Sequence, residues 1–261
     1  MKPAAFTYHR ARDVAGAVGL LAELEDAKYL AGGQSLIAMM NFRLARPAHL
    51  VDLGGLRSEL AFVRRDGDAL RVGALTTHHE VAKARIPGFE VLARAMERVG
   101  HLPIRTRGTV GGSLAHGDAT AEWCLLALLL GAEVVVQGPD GRRVVPAEDL
   151  FLGFFTTALD PAEMIIEVVF PRPAPRAALT EFAERRGDFA IVAAAVDLDA
   201  RTVVLGGVAP APVRVPEAET ALSRSFEECA EAAAATVDAT DDQRRALTRA
   251  LVLRACEEAT R

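Results

Sequence analysis

The apolar positions change period several times along the chain, and each change predicts an element. Val14, Val18, Leu21 and Leu24 recur at helical spacing behind Asp13, a residue suited to cap a helix, and the run closes on the acidic Glu23-Leu24-Glu25-Asp26. Residues 28–31 read as a short strand, followed at once by Gly32-Gly33-Gln34-Ser35 and a helical run through Leu36, Met39 and Met40. Residues 49–53 read as a strand closed by Gly54-Gly55. Residues 60–63 and 70–72 read as a hairpin about Asp66-Gly67-Asp68, so a small antiparallel sheet is expected. Thr76 or Thr77 caps a helix through Val81 that Pro87-Gly88 ends, and residues 89–99 supply another periodic helix. The stretch Arg107-Gly108-Thr109-Val110-Gly111-Gly112-Ser113 is thereby expected as a loop between two helices, ahead of a strongly apolar run over 119–131.

Beyond it, residues 133–137 and 143–145 flank Gly138-Pro139-Asp140-Gly141 as a hairpin, and residues 164–170 form a strand rich in branched side chains. Pro171-Arg172-Pro173-Ala174-Pro175 then excludes helix and central strand, which predicts a domain boundary or stiff linker. In the last third, residues 195–198 and 203–208 pair about Asp199-Ala200-Arg201, and three helices follow over 217–222, 225–237 and 241–260, the last capped by Thr240 and Asp241.

Composition narrows the class. Half of the 261 residues are hydrophobic, 51%, enough for a substantial core in two modest domains or one large one. A formal charge of −5 with no long basic run argues against a nucleic-acid surface. The longest apolar run, residues 124–130, is too short to span a bilayer, and residues 1–8 lack a signal-like stretch, so a cytoplasmic protein is expected. Cys124, Cys229 and Cys256 are odd in number and far apart, which leaves neither a disulfide framework nor a Cys-x-x-Cys metal site.

The chemistry sits in two glycine pairs. Ala31-Gly32-Gly33-Gln34-Ser35 and Thr109-Val110-Gly111-Gly112-Ser113 share a Gly-Gly followed by an amide or hydroxyl residue, and both adjoin helix starts. Backbone N–H groups bare of Cβ atoms can close there on anionic oxygens, so a pyrophosphate held between the two is expected. Neither Gly-x-Gly-x-x-Gly after a strand nor a Gly-x-x-x-x-Gly-Lys-Ser/Thr run is present, which points to a dinucleotide in a fold other than the Rossmann type. For either loop alone, a tight turn before a helix is the competing reading. His78-His79 before Glu80 reads as a solvated helix start. His116 with Asp118 reads as a general acid–base pair or, more simply, as Asp118 capping the next helix. Glu122 suits a ribose hydroxyl and equally a first-turn acid on the helix dipole.

Together these stretches resemble the FAD-binding (medium) subunit of molybdenum-containing hydroxylases, the carbon monoxide dehydrogenase and bacterial xanthine dehydrogenase group. The marks run the length of the chain: Phe6-Thr7-Tyr8-His9-Arg10, Leu30-Ala31-Gly32-Gly33-Gln34-Ser35-Leu36, Gly73-Ala74-Leu75-Thr76-Thr77, residues 107–115, Gly187-Asp188-Phe189-Ala190 and Gly206-Gly207-Val208-Ala209-Pro210. The resemblance implies an α+β fold of the vanillyl-alcohol-oxidase-like (PCMH) type, with an FAD-binding domain over 1–171 in subdomains of about 1–55 and 56–171. A smaller C-terminal α/β domain over 177–261 would follow. It further implies that Lys28, Ala31, Gly32, Gly33, Gln34, Ser35, Thr109, Gly111, Gly112 and Ser113 line the cofactor, that Glu122 faces the adenosine ribose, and that Leu159 and Phe189 lie near the flavin. No residue is implied as a metal ligand or catalytic group. Glu181 stands where several members carry a lysine near the flavin. Implied partners are a large molybdopterin subunit and a small [2Fe-2S] subunit, with electrons leaving FAD for NAD, O2 or another acceptor. A self-sufficient FAD-dependent oxidoreductase on the same cradle is the alternative.

Overall fold

The computed structural model describes residues 2–261. The first layer is a three-stranded parallel sheet of β1 (Thr7–Arg10), β2 (Ala27–Leu30) and β3 (His49–Asp52), with β3 in the middle. Helix α1 (Val14–Glu23) links β1 to β2, and its N-cap Asp13 accepts from the Gly16 N–H at 2.7 Å. Helix α2 (Leu36–Asn41) follows the first glycine loop. Strand β1 was not anticipated: its four residues are mostly exposed, and only parallel pairing with a segment some forty residues on makes them a strand.

The second layer is an antiparallel sheet, order β4-β5-β10-β6-β7. After α3 (Arg57–Leu60), β4 (Val63–Asp66) and β5 (Ala69–Gly73) form the first hairpin. Helices α4 (His78–Ala84), α5 (Glu90–Met96), α6 (Leu102–Arg105), α7 (Val110–His116) and α8 (Glu122–Leu129) come next. Strands β6 (Glu133–Gly138) and β7 (Gly141–Pro146) are the second hairpin, and α9 (Ala147–Leu150) leads to the small pair β8 (Phe151–Gly153) and β9 (Thr156–Thr157). Strand β10 (Met164–Phe170) then returns to the centre of the sheet. It serves two cores. Met164 and Ile166 face the cluster under the N-terminal sheet, whereas Ile165, Val168 and Phe170 face the main one, the change of parity coming from a bulge between Ile165 and Glu167.

The C-terminal unit is β11 (Ala177–Phe182), β12 (Val192–Asp197), β13 (Thr202–Gly206) and β14 (Val213–Arg214), followed by α10 (Pro216–Ala221), α11 (Phe226–Ala235) and α12 (Asp242–Glu258). Its sheet is antiparallel throughout, with the strands first and the helices after, which corrects the expected α/β alternation to α+β. One face of β12 packs on α11 and α12 through Val192, Ala194 and Val196. The other, Ala193 and Ala195, joins the main core around α8. That explains why α8 is apolar on all sides: it lies between two sheets. The proline segment straps across this junction, the Ala174 N–H donating to Gly88 O at 2.7 Å and Arg172 pairing with the buried Asp197 at 2.8 Å. No helix among the described residues is long and apolar enough to cross a membrane.

Candidate cofactor site

The first glycine loop turns the chain out of β2 and into α2, with Gly33 at φ +72° where a side chain would be strained. The backbone N–H groups of Gly32, Gly33, Gln34 and Ser35 meet no acceptor among the described residues, and the Ser35 hydroxyl makes no capping bond. Four unpaired donors at one turn suit an anionic oxygen.

The second glycine pair is built differently from the expected loop. Gly111 and Gly112 lie inside the first turn of α7, and Thr109 is its N-cap, accepting from the Gly112 N–H at 3.2 Å. Val110 N–H donates to Thr76 O at 3.0 Å, Gly111 N–H to Ala74 O at 2.8 Å and Ser113 N–H to Thr109 O at 3.0 Å. The expectation of a backbone cradle here is therefore corrected: these donors are used in holding the turn against the end of β5. What this side offers is hydroxyl, from Thr109 and the half-buried Ser113, together with bare Cα surface.

The two glycine turns touch. A Cβ on Gly32 would lie 2.8 Å from the Gly108 Cα and closer still to Arg107 O, and one on Gly112 would reach Ala31 Cβ at 3.7 Å. Gly111 faces inward, where a Cβ would meet that of Ala74 at 2.6 Å. The clamp thus has a donor-rich jaw at residues 32–35 and a hydroxyl-bearing jaw at residues 109–113, closed on each other by missing side chains. It fits a pyrophosphate group. Lys28 projects from the exposed side of β2 at the foot of the first jaw.

Away from the clamp the expected residues separate. Glu122 opens α8 half-buried, and its carboxyl is pushed up to about 8, first by burial and then by the nearby Glu181, with Arg98 opposing. Glu181, on β11, is itself raised by burial, and its Oε2 is buried without a hydrogen-bond partner. The chain therefore gathers two carboxyls and one guanidinium where α8 meets the C-terminal sheet. Sequence reading missed this, because residues 98, 122 and 181 share no local pattern. Asp118 does not cap α8. Its Oδ1 accepts from Thr120 N and Oγ at 2.8 Å, and the helix begins four residues on. His116 makes no bond to Asp118; its ring stacks on Phe155, centroids 4.9 Å apart, at the tip of the β8–β9 hairpin. Leu159 packs half-buried on the main core just beyond that hairpin. Phe189 is 67% exposed on the β11–β12 connection, where Gly187 lies against the His101 ring.

His78 also departs from expectation. The solvated helix start does not hold for His78, which is 5% exposed and whose Nδ1 accepts from Trp123 Nε1–H at 2.9 Å; His79 is half-buried. Burial, with Arg105 adding, pulls the imidazole down to about 4. The signal available in sequence was the run without Asp, Glu, Lys or Arg over residues 72–78.

Known proteins fit this geometry. Residues 4–173 match the family described as the FAD binding domain in molybdopterin dehydrogenase, and the chain belongs to that family of oxidoreductase components. It is 40% identical over 258 residues to the 6-hydroxypseudooxynicotine dehydrogenase complex subunit alpha of Paenarthrobacter nicotinovorans, spanning 92% of this chain and 86% of that one. To the carbon monoxide dehydrogenase medium chain of Hydrogenophaga pseudoflava it is 37% identical over 204 residues, 75% of this chain and 70% of the other. The solved carbon monoxide dehydrogenase of Hydrogenophaga pseudoflava lacking the Mo-pyranopterin moiety of its cofactor superposes with a TM-score of 0.91 at 33% identity, covering 100% of this chain and 99% of that one.

Proposed function

We propose that this chain is the FAD-binding subunit of a multi-subunit molybdenum hydroxylase, taking electrons from an iron–sulfur partner and delivering them to an external acceptor. The observation that carries the reading is the clamp. Two glycine turns far apart in sequence meet with free N–H donors on one side and hydroxyls on the other, in a chain that belongs to an FAD-binding family. Bound FAD would supply the exchange between single electrons and electron pairs. The residues present do the rest. Gly32, Gly33, Gln34 and Ser35 donate backbone N–H groups to the pyrophosphate, and Thr109 and Ser113 add hydroxyls. Gly111 and Gly112 let the second turn approach, and Lys28 lends positive charge nearby. Leu159 and Phe189 would shelter the flavin end.

Residues 1–171 form the cofactor domain in this reading, of the vanillyl-alcohol-oxidase-like type, with the parallel sheet as one subdomain and the antiparallel sheet as the other; residues 177–261 form the C-terminal domain. A large molybdopterin subunit and a small [2Fe-2S] subunit are the expected partners, since the relatives are named as subunits and medium chains. That naming also disfavours a self-sufficient flavoenzyme. The proposed acceptor is NAD, O2 or another oxidant.

The test is the visible spectrum of the purified chain after incubation with FAD and desalting. Flavin absorption near one equivalent is expected. Gly32→Val should lower it more than about tenfold with circular dichroism unchanged, because its side chain must force the jaws apart. Wild-type protein that retains no flavin overturns the assignment. Gly111→Val is a poorer probe, since it strikes Ala74 in the core.

A further inference from the structure

Behind the second jaw lies a column of residues that the cofactor reading does not use. A Cβ on Gly108 would fall 2.6 Å from His78 Nε2 and 2.8 Å from its Cδ2, so the edge of the imidazole occupies the place of a side chain at Gly108. The His78 N–H donates to Gly108 O at 3.1 Å, so ring and backbone grip the same residue. Gly108 in turn is what Gly32 rests against from the opposite jaw. On its far side the ring accepts from Trp123, itself 1% exposed in the main core. The order Gly32, Gly108, His78, Trp123 therefore runs from the first glycine turn into α8, each step closed by contact or hydrogen bond.

The proton arrangement is fixed by chemistry. Indole N–H only donates, so His78 Nδ1 must carry a lone pair and the proton of neutral imidazole must sit on Nε2, facing Gly108. A protonated ring would set a second N–H against that of Trp123. Arg105 on α6 is the charged group felt by the ring, and it too disfavours the cation. On the histidine's own helix, Glu80 is engaged by Thr77 and Arg57 instead.

Resting on the FAD reading, we infer that His78 is a positioning residue for the cofactor: as a neutral acceptor from Trp123 it holds Gly108 at the separation from Gly32 at which the clamp grips the pyrophosphate. His78 does not touch the cofactor. It acts by setting the distance between the jaws, so retention of FAD falls when the ring is protonated or removed. The ring's acidity supports this: lowered from 6.5 to about 4, it is neutral in the folded protein and protonated more readily once freed, so acid weakens the arrangement as pH falls from about 6.5 toward 4.

Trp123 is the only tryptophan in the chain, which supplies a local reporter. The experiment follows FAD affinity, Trp123 fluorescence and far-ultraviolet circular dichroism of the full chain from pH 7.5 to 4.5, for wild type, His78→Gln and His78→Leu. Glutamine offers an acceptor to Trp123 and a donor toward Gly108 without titrating. It should keep FAD affinity at pH 7.5 within about threefold and lose the acid-dependent change that wild type shows in both fluorescence and affinity. Leucine should weaken FAD at pH 7.5 by about tenfold or more with unchanged circular dichroism. If leucine disturbs folding, Gly108→Ala and His78→Ala, singly and combined, replace it: each alone loosens FAD, and the double variant loses less than the sum of the two because the ring that a Cβ at residue 108 would meet is gone. Wild-type affinity in His78→Leu, an acid response retained in His78→Gln, or strictly additive losses in the double variant overturns the inference while the FAD reading stands. If wild type binds no FAD at any pH, that reading fails and the inference with it.

Discussion

At the scale of single residues, the carboxyl pair offers the cleanest prediction. Glu122 is raised to about 8 in the folded chain, so it stays protonated there while an unfolded chain releases the proton near 4.5. The folded state then binds more protons between these limits, and stability falls as pH rises from about 4.5 to 8. Glu122→Gln removes this penalty. Cofactor-free protein should gain about 1 kcal/mol at pH 8, about 2–4 °C in Tm, with the gain shrinking toward pH 5 in a pair of calorimetric scans. A larger gain at pH 5 than at pH 8 would mean that Glu122 is ionised in the folded chain. The glycines were legible as a pair of turns because missing Cβ atoms leave a mark in any sequence. The fate of their N–H groups was not, because Val110 and Gly111 spend theirs on carbonyls some 35 residues earlier, a partnership set only by the packing of α7 on β5.

At the scale of elements, caps and hairpins were readable and their neighbours were not. Asp13 and Asp241 cap the helices expected of them, Ser225 caps a helix expected to start on it, and Thr77 closes a full capping box with Glu80, which Arg57 holds at 2.8 Å. Each device is written within four residues, whereas strand β1, the burial of His78 and the start of α8 depend on distant partners. The two caps Thr77 and Ser225 should cost similar stability on replacement by alanine, about 1 kcal/mol each. They should differ in function. Thr77 sits between the two bonds to the second jaw, Thr76 O accepting from Val110 N–H and the His78 N–H donating to Gly108 O, so Thr77→Ala loosens the clamp and lowers FAD affinity, while Ser225→Ala, on the far helix α11, leaves it unchanged. Parallel titrations with FAD and thermal melts of both variants check this, and equal FAD affinities in the two would contradict it.

At the scale of the whole molecule, the proline segment marks a change of architecture without separating two cores. Leu179, Ala193, Ala195 and Val204 share one buried cluster with Trp123, Leu125 and Phe170, so the C-terminal sheet covers α8 as a lid covers a box. A chain ending at residue 176 would expose that apolar face and should be recovered as aggregate, while the full chain unfolds in a single calorimetric transition. The broad organisation was readable because prolines at alternate positions are incompatible with either sheet interior or helix; the shared core was not, since nothing in the alternation along β12 says which helix each face will meet.

The central claim is that two glycine turns hold the pyrophosphate of FAD, and calorimetric titration of the cofactor-free chain with FAD and with riboflavin tests it most directly. The account predicts one FAD per chain, bound at least about a hundredfold more tightly than riboflavin, which lacks the phosphates that the clamp grips. Equal affinities for the two, or no binding of FAD, would contradict it.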